Sequence, residues 1–139
     1  MDARQQRQPC AGGIVFDGRR RMLVIRRGQA PSAGLWSVPG GRCRPGETPA
    51  AACVREVAEE TGLAVRVVGL AGRVERDAPN GGIYVIDDFV CALGGDVDAP
   101  PVAGDDADDA RWVTRTELAA LELVPGLWDC LLEWRLLPA

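Results

Sequence analysis

Two apolar runs lie near the start of the chain, residues 11–16 and 21–26, with Asp17-Gly18-Arg19-Arg20 between them. Met22, Leu23, Val24 and Ile25 are consecutive apolar positions rather than alternating ones. That pattern predicts a strand covered on both faces, and the polar tetrapeptide predicts that the two runs form a hairpin. Residues 65–76 and 82–93 are rich in β-branched and aromatic side chains, and the DAPNGG stretch separating them carries strong turn chemistry, so a second, longer hairpin is expected. Asp87 and Asp88 are conspicuous inside its apolar second strand. From 94 to 109 periodicity gives way to Gly, Pro, Ala and Asp, which predicts an exposed loop beside a site. A short strand over 111–114, a helical turn or two over 117–121 and a final helix over 125–136, apolar at Leu127, Trp128, Leu131 and Leu132, complete the pattern.

Residues 49–61 read as a helix from both ends. Thr48 is a good N-cap, Pro49 suits the first helical position, and Gly62 can take the left-handed conformation just past the C-terminus. At about 100° per residue, Ala50, Ala51, Val54, Val57 and Ala58 fall on one side, with Glu56, Glu59 and Glu60 opposite. For stability alone the acidic face is a poor choice. Glu59 and Glu60 sit at the negative end of the helix dipole, and Glu56 repels both at i+3 and i+4, together costing about 1–3 kcal/mol. A hard divalent cation with oxygen ligands turns that repulsion into coordination. The face therefore reads as a candidate metal site.

The residues around the helix make the reading specific. Gly41, then Glu47 after five residues, Arg55-Glu56-Val57 after seven more, and Glu59-Glu60 followed by one residue and Gly62-Leu63 fill every fixed position of a long motif. This segment resembles the signature of the Nudix hydrolases. The similarity extends to LWSVPGG at 35–41 and to DDARWV at 108–113. The resemblance implies an α/β chain with the Nudix fold, an α/β/α sandwich around a central mixed β-sheet. It also implies hydrolysis of a nucleoside diphosphate linked to another group, with Mg²⁺ or Mn²⁺ as cofactor.

Carried over residue by residue, the resemblance makes Glu56 and Glu60 the main metal ligands, Glu59 a further ligand or the catalytic base, and the Gly40 carbonyl another ligand. Glu47 and Arg55 become a charge pair that supports the site and orients Glu56, with Gly41 opening the motif. Arg27 matches an arginine that binds substrate phosphate or ribose in some relatives, and it is equally readable as a strand-end surface residue. Asp106, six residues before Trp112, stands where some members place a catalytic or metal-binding glutamate, one methylene longer. With no histidine in the chain, the base is a carboxylate, Glu59 or Asp106, or a hydroxide held by the metal. Asp105, Asp108 and Asp109 read as solvated turn residues, and Arg19, Arg20 and Arg21 as solubilising ones. Trp36 either walls a nucleobase or packs beneath the PGG loop.

Loops outside the motif choose the substrate. Pro79 stands about where ADP-ribose hydrolases of this family carry a proline, which favours ADP-ribose or a related nucleoside diphosphate sugar. The alternatives are a MutT-like hydrolase of oxidised nucleoside triphosphates and, in a different class, a non-catalytic nucleotide sensor. Such sensors usually lose motif carboxylates, and all are kept here.

Composition bounds the rest. One domain, residues 1–139, is expected from the length. The net charge of −4 argues against a nucleic acid polymer as partner and for a small-molecule nucleotide drawn in by local arginines and cations. Five cysteines without CxxC spacing read as reduced thiols filling the core. Neither a signal-like apolar run nor one of membrane-spanning length occurs, so a cytoplasmic location with no membrane partner is expected. Homodimers are common among relatives, which leaves a homodimer possible.

Overall fold

β1 (Arg7–Val15) organises the molecule, because both of its edges are used. It pairs antiparallel with β4 (Gly40–Arg42) on one side and parallel with β6 (Ile83–Leu93) on the other. β5 (Val65–Asp77) completes a four-stranded mixed sheet in the order β4-β1-β6-β5. A second, antiparallel sheet has the order β3-β2-β7, built from β2 (Met22–Arg27), β3 (Trp36–Ser37) and β7 (Ala107–Val113). The computed structural model describes residues 6–30, 32–104 and 106–139.

The first expected hairpin is not one. β1 and β2 meet in backbone pairing only at the turn, through a bridge between Phe16 and Met22, and then diverge into different sheets. The local turn does form: the Asp17 carboxylate accepts from the backbone N–H groups of Arg19 and Arg21 at 3.0 and 2.8 Å and pairs with the Arg21 guanidinium at 2.7 Å. Arg21 is thus a structural partner rather than a merely solubilising residue. What overrides the hairpin is burial. Both strands are apolar on both faces, and each covers more surface by taking two partners in its own sheet than by pairing with the other. The second hairpin stands as expected, β5 against β6, with irregularities between Val67 and Gly69 and between Leu70 and Gly72.

α1 (Pro49–Thr61) has the ends the sequence predicts. The Thr48 hydroxyl accepts from the Ala51 N–H at 3.2 Å, Pro49 opens the helix, and Gly62 at φ 73° donates its N–H to the Ala58 carbonyl. Its rotation differs from the projection. Ala52, Cys53, Val57, Glu60 and Thr61 are buried, while Ala51 and Ala58 are exposed. Alanines mark a buried face weakly, since they gain little by burial. The helix instead turns its bulkier Cys53 and Val57 onto the sheet and takes Glu60 in with them.

α1 covers one side of the strands, packing with Ala11, Val15, Leu23, Leu63, Val65 and Cys91. On the other side Ile14, Met22, Val24 and Trp36 pack with Leu118 of α2 (Arg115–Ala120) and with Leu127 and Leu131 of α3 (Leu127–Glu133). Helix, strands, helices make the expected α/β/α layering. Thr114 and Glu117 form a reciprocal capping box that starts α2 two residues earlier than expected. α3 is shorter than expected, and Leu132 on it is 57% exposed. β7 is longer than expected, starting at Ala107, so the end of the acidic segment is strand rather than loop. All five cysteines are free. Among the described residues, no helix is long and apolar enough to cross a membrane.

Candidate active site

The candidate site lies where the C-terminal half of α1 meets the edge strand β4. Glu60 is the innermost carboxylate, 6% exposed, and its Oε1 accepts from the Gly40 N–H at 2.7 Å. Burial pushes its pKa up to about 8; the Gly40 hydrogen bond and the Arg27 charge oppose this, while Glu56 and Asp106 add to it. Glu56 packs against the backbone of Gly41, where any Cβ would come within 2.7 Å of its carboxyl group. Burial raises the Glu56 pKa too, against the pull of Arg55. At Gly40 a Cβ would meet the Ala11 carbonyl oxygen at 2.4 Å, so the neighbouring strand β1 itself requires a glycine there.

Arg55 ties the site together. Its Nε and Nη2 donate to Glu47 Oε2 and Oε1 at 2.7 and 2.8 Å, so the charge pair that the resemblance implies is formed, and its geometry is bidentate. Its Nη1 donates to both Glu56 Oε1 at 2.8 Å and Glu59 Oε2 at 3.1 Å, and Nη2 also reaches the Arg42 carbonyl at 3.1 Å. The guanidinium holds the Glu47 pKa down at about 2, with help from the Arg44 N–H. One side chain therefore fixes the motif loop, the helix and β4 against one another.

Arg44 was not singled out by sequence reasoning. Its Nη2 donates to Glu59 Oε1 at 3.2 Å, and its backbone N–H donates to Glu47 Oε1 at 2.9 Å. The only sequence signal is its place in the motif loop, three residues before Glu47. Glu59 thus has an arginine on each oxygen. Held this way, Glu56, Glu59 and Glu60 are gathered at one end of the helix without forming a ready cage: among the described residues, no three acidic or thiol side chains are close enough together to ligate one ion. The donor set nevertheless suits a hard cation. It consists of carboxylates, two of them with pKa values raised by burial, beside the strand backbone at Gly40 and Gly41.

The acidic segment docks onto this end of the helix. Val102 N–H donates to the Thr61 carbonyl at 2.9 Å and Gly104 N–H to that of Glu60 at 3.2 Å, so the loop supplies partners for the helix's terminal acceptors. Gly28 N–H donates to the Asp106 carbonyl at 2.8 Å, which sets Asp106 beside the end of β2 and Arg27. The Asp106 side chain is exposed, and its Oδ1 accepts from Gln29 at 2.8 Å. Asp105 lies outside the described residues. Asp109 is not a free turn residue, for it sits in β7 and pairs with Arg111 at 2.8 Å.

Three other expectations resolve. Trp36 is 6% exposed, with the Arg111 and Arg26 guanidinium carbons 4.9 and 5.9 Å from its ring centre, so it is a packing residue and not an open wall. Asp87 forms a two-point pair with Arg73, at 2.6 and 3.2 Å. Asp88 is buried over Gly12, and burial pushes its pKa up to about 6.

A family model described as NUDIX domain matches residues 6–133. The chain is 34% identical, over 77% of its own length and 62% of the relative's, to a protein of Methanocaldococcus jannaschii named ADP-ribose pyrophosphatase. It is 38% identical, over 76% of its length and 72% of the relative's, to a protein of Mycobacterium tuberculosis named putative 8-oxo-dGTP diphosphatase 2. Among solved structures, a MutT NUDIX hydrolase from Burkholderia pseudomallei superposes with a TM-score of 0.77 at 27% identity, covering 91% of this chain and 97% of that one.

Proposed function

Because the chain belongs to the Nudix hydrolase family, we propose that it hydrolyses the pyrophosphate bond of a nucleoside diphosphate linked to another group, with ADP-ribose or a nucleoside diphosphate sugar as first choice. The observation that carries the reading is the gathering of Glu56, Glu59 and Glu60 at one end of α1, where Arg55 holds Glu56 and Glu59 and the β4 backbone meets Glu56 and Glu60. Glu56, Glu60, the Gly40 carbonyl and Glu59 would hold Mg²⁺ or Mn²⁺. Such an ion supplies charge neutralisation on the diphosphate oxygens and acidifies the attacking water.

The chain's own residues supply the rest. Glu59, in the carboxylate cluster itself, would accept the proton of the water once substrate or metal draws Arg44 or Arg55 from one of its oxygens, whereas Asp106 is exposed and its Oδ1 accepts from Gln29. Arg55 holds Glu56 and Glu59 in place and is itself fixed by Glu47. Arg27, whose charge acts on Glu60, would bind a phosphate oxygen of the substrate. Water attack at one phosphorus of ADP-ribose releases AMP and a sugar phosphate.

The second reading, cleavage of an oxidised nucleoside triphosphate to monophosphate and pyrophosphate, is favoured by the 38% identity to the diphosphatase relative. A panel of ADP-ribose, nucleoside diphosphate sugars, dGTP and 8-oxo-dGTP, incubated with Mg²⁺ and resolved by product chromatography, tests both. AMP and ribose 5-phosphate from ADP-ribose are expected. Preferential turnover of 8-oxo-dGTP would replace the first reading with the second, and tight nucleotide binding without any turnover would leave only a binding role.

A further inference from the structure

The cavity with the clearest ligand-binding chemistry is not at the carboxylates. A cleft of about 380 Å³ lies at the other end of β4, lined by Gln8, Arg42, Asn80, Tyr84 and the backbone of the β5–β6 turn. That volume is within the range typical of small-molecule sites. Register places the cleft in relation to the site. Gln8 pairs with Tyr84 and Cys10 with Arg42, so Gln8, Arg42 and Tyr84 share one face of the mixed sheet. On the same strand, Gly13 shows the opposite face to α1. β4 is an edge strand, and from Gly40 to Arg42 it advances only about 7 Å. A ligand whose phosphates lie at Glu56 and Glu60 needs only to cross this edge to reach the cleft.

The lining has unspent capacity. The Arg42 guanidinium makes no ion pair or hydrogen bond among the described residues, although the Arg42 carbonyl is bound by Arg55. Gln8 spends its amide N–H groups on the Pro9 and Cys43 carbonyls, and Asn80 spends its oxygen on the Gly82 N–H. One amide acceptor and one amide donor are left over. Arg7, at the rim, is committed to Glu75 at 2.6 Å. Tyr84 is the chain's single tyrosine and supplies an aromatic surface. A planar guanidinium, an aromatic ring and a spare donor and acceptor suit a flat heterocycle with hydrogen-bonding edges better than a second phosphate.

We propose that this cleft seats the nucleobase of the substrate, an inference that rests on the nucleotide reading above. Arg42 and Tyr84 stack on the base, and Gln8 and Asn80 read its edge. The site then has two halves joined by β4, one for the diphosphate and one for the base.

The test is a titration of AMP, dGMP and ribose 5-phosphate into the full chain with Mn²⁺, followed by calorimetry. Whichever of AMP and dGMP binds more tightly serves as the probe, so a wrong choice between the two substrate readings does not decide the outcome. In Tyr84→Ala and in Arg42→Ala, the second being an exposed edge position that is safe for folding, the probe should bind about 5- to 100-fold more weakly. Ribose 5-phosphate should bind each variant within about twofold of the parent. Probe affinity within twofold of the parent in both variants overturns the proposal, as does a probe that binds the parent no more tightly than ribose 5-phosphate. If hydrolysis of nucleotides is intact while these affinities do not move, only the cleft assignment falls.

Discussion

Glu60 is a carboxylate that the fold accommodates at a cost, and the cost can be measured. The unfolded chain releases its proton near 4.5, whereas burial delays release in the folded chain to about 8. Between those values the unfolded form carries fewer protons, so stability declines as pH rises, starting above 4.5 and ending above about 8. At about 1.4 kcal/mol per pH unit the interval sets a ceiling of about 5 kcal/mol. Coupling to Glu56 and local relaxation reduce it, and a loss of about 2–4 kcal/mol is expected. Glu60→Gln keeps an oxygen for the Gly40 N–H and removes the charge. In EDTA at pH 8, urea unfolding followed by tryptophan fluorescence should therefore find the variant about 2–4 kcal/mol more stable than the parent, with a difference below about 1 kcal/mol at pH 5. Mg²⁺ should stabilise the parent at pH 8 and the variant far less, and turnover in the variant should fall by orders of magnitude, about 100-fold or more. A variant no more stable than the parent at pH 8, or a parent whose stability does not decline between pH 5 and 8, would refute the reasoning.

Three further outcomes are expected. Gly41→Ala should displace the Glu56 carboxylate, lowering stability by about 1–3 kcal/mol and turnover by about 100-fold, measured by thermal melting and initial rates; an active, fully stable variant would contradict the contact. Arg55→Lys cannot reproduce the two-point hold on Glu47 together with the reach to Glu56 and Glu59, so a stability loss of about 1–3 kcal/mol should accompany reduced turnover. Asp106→Asn should change kcat by no more than about threefold, whereas Glu59→Gln should lower it by about 100-fold or more, and equal losses in the two would promote Asp106 to base or ligand.

How far the chain was legible depended on how local each signal is. Thr48, Pro49 and Gly62 mark α1 because capping is settled within a turn of the helix end. The Glu47–Arg55 pair and the second hairpin were readable for the same reason, one as a fixed motif spacing and the other as a turn between two strand-like runs. The separation of β1 from β2 was not. It depends on β6 and β7, far along the chain, taking their edges, and nothing near Asp17 reveals that. The rotation of α1 is not legible, because a row of alanines carries almost no directional preference and because a glutamate reads as an outward residue although the fold buries Glu60. The role of Arg44 is not legible either, since its partner, Glu59, is brought to it by the loop and not by helical periodicity.

Gly13 has a consequence for how the carboxylates are set. A Cβ there would come within 2.8 Å of Val57 and 3.2 Å of the Cys53 sulfur, so α1 rests directly on the backbone of β1. The height of the helix above the sheet is therefore gauged by a missing methyl group on the flank away from Glu59. Any side chain placed there would act as a shim, tilting the acidic end relative to Gly40 without touching a single charged atom. Tuning of this enzyme's catalytic geometry by mutation can thus originate in its most apolar contact.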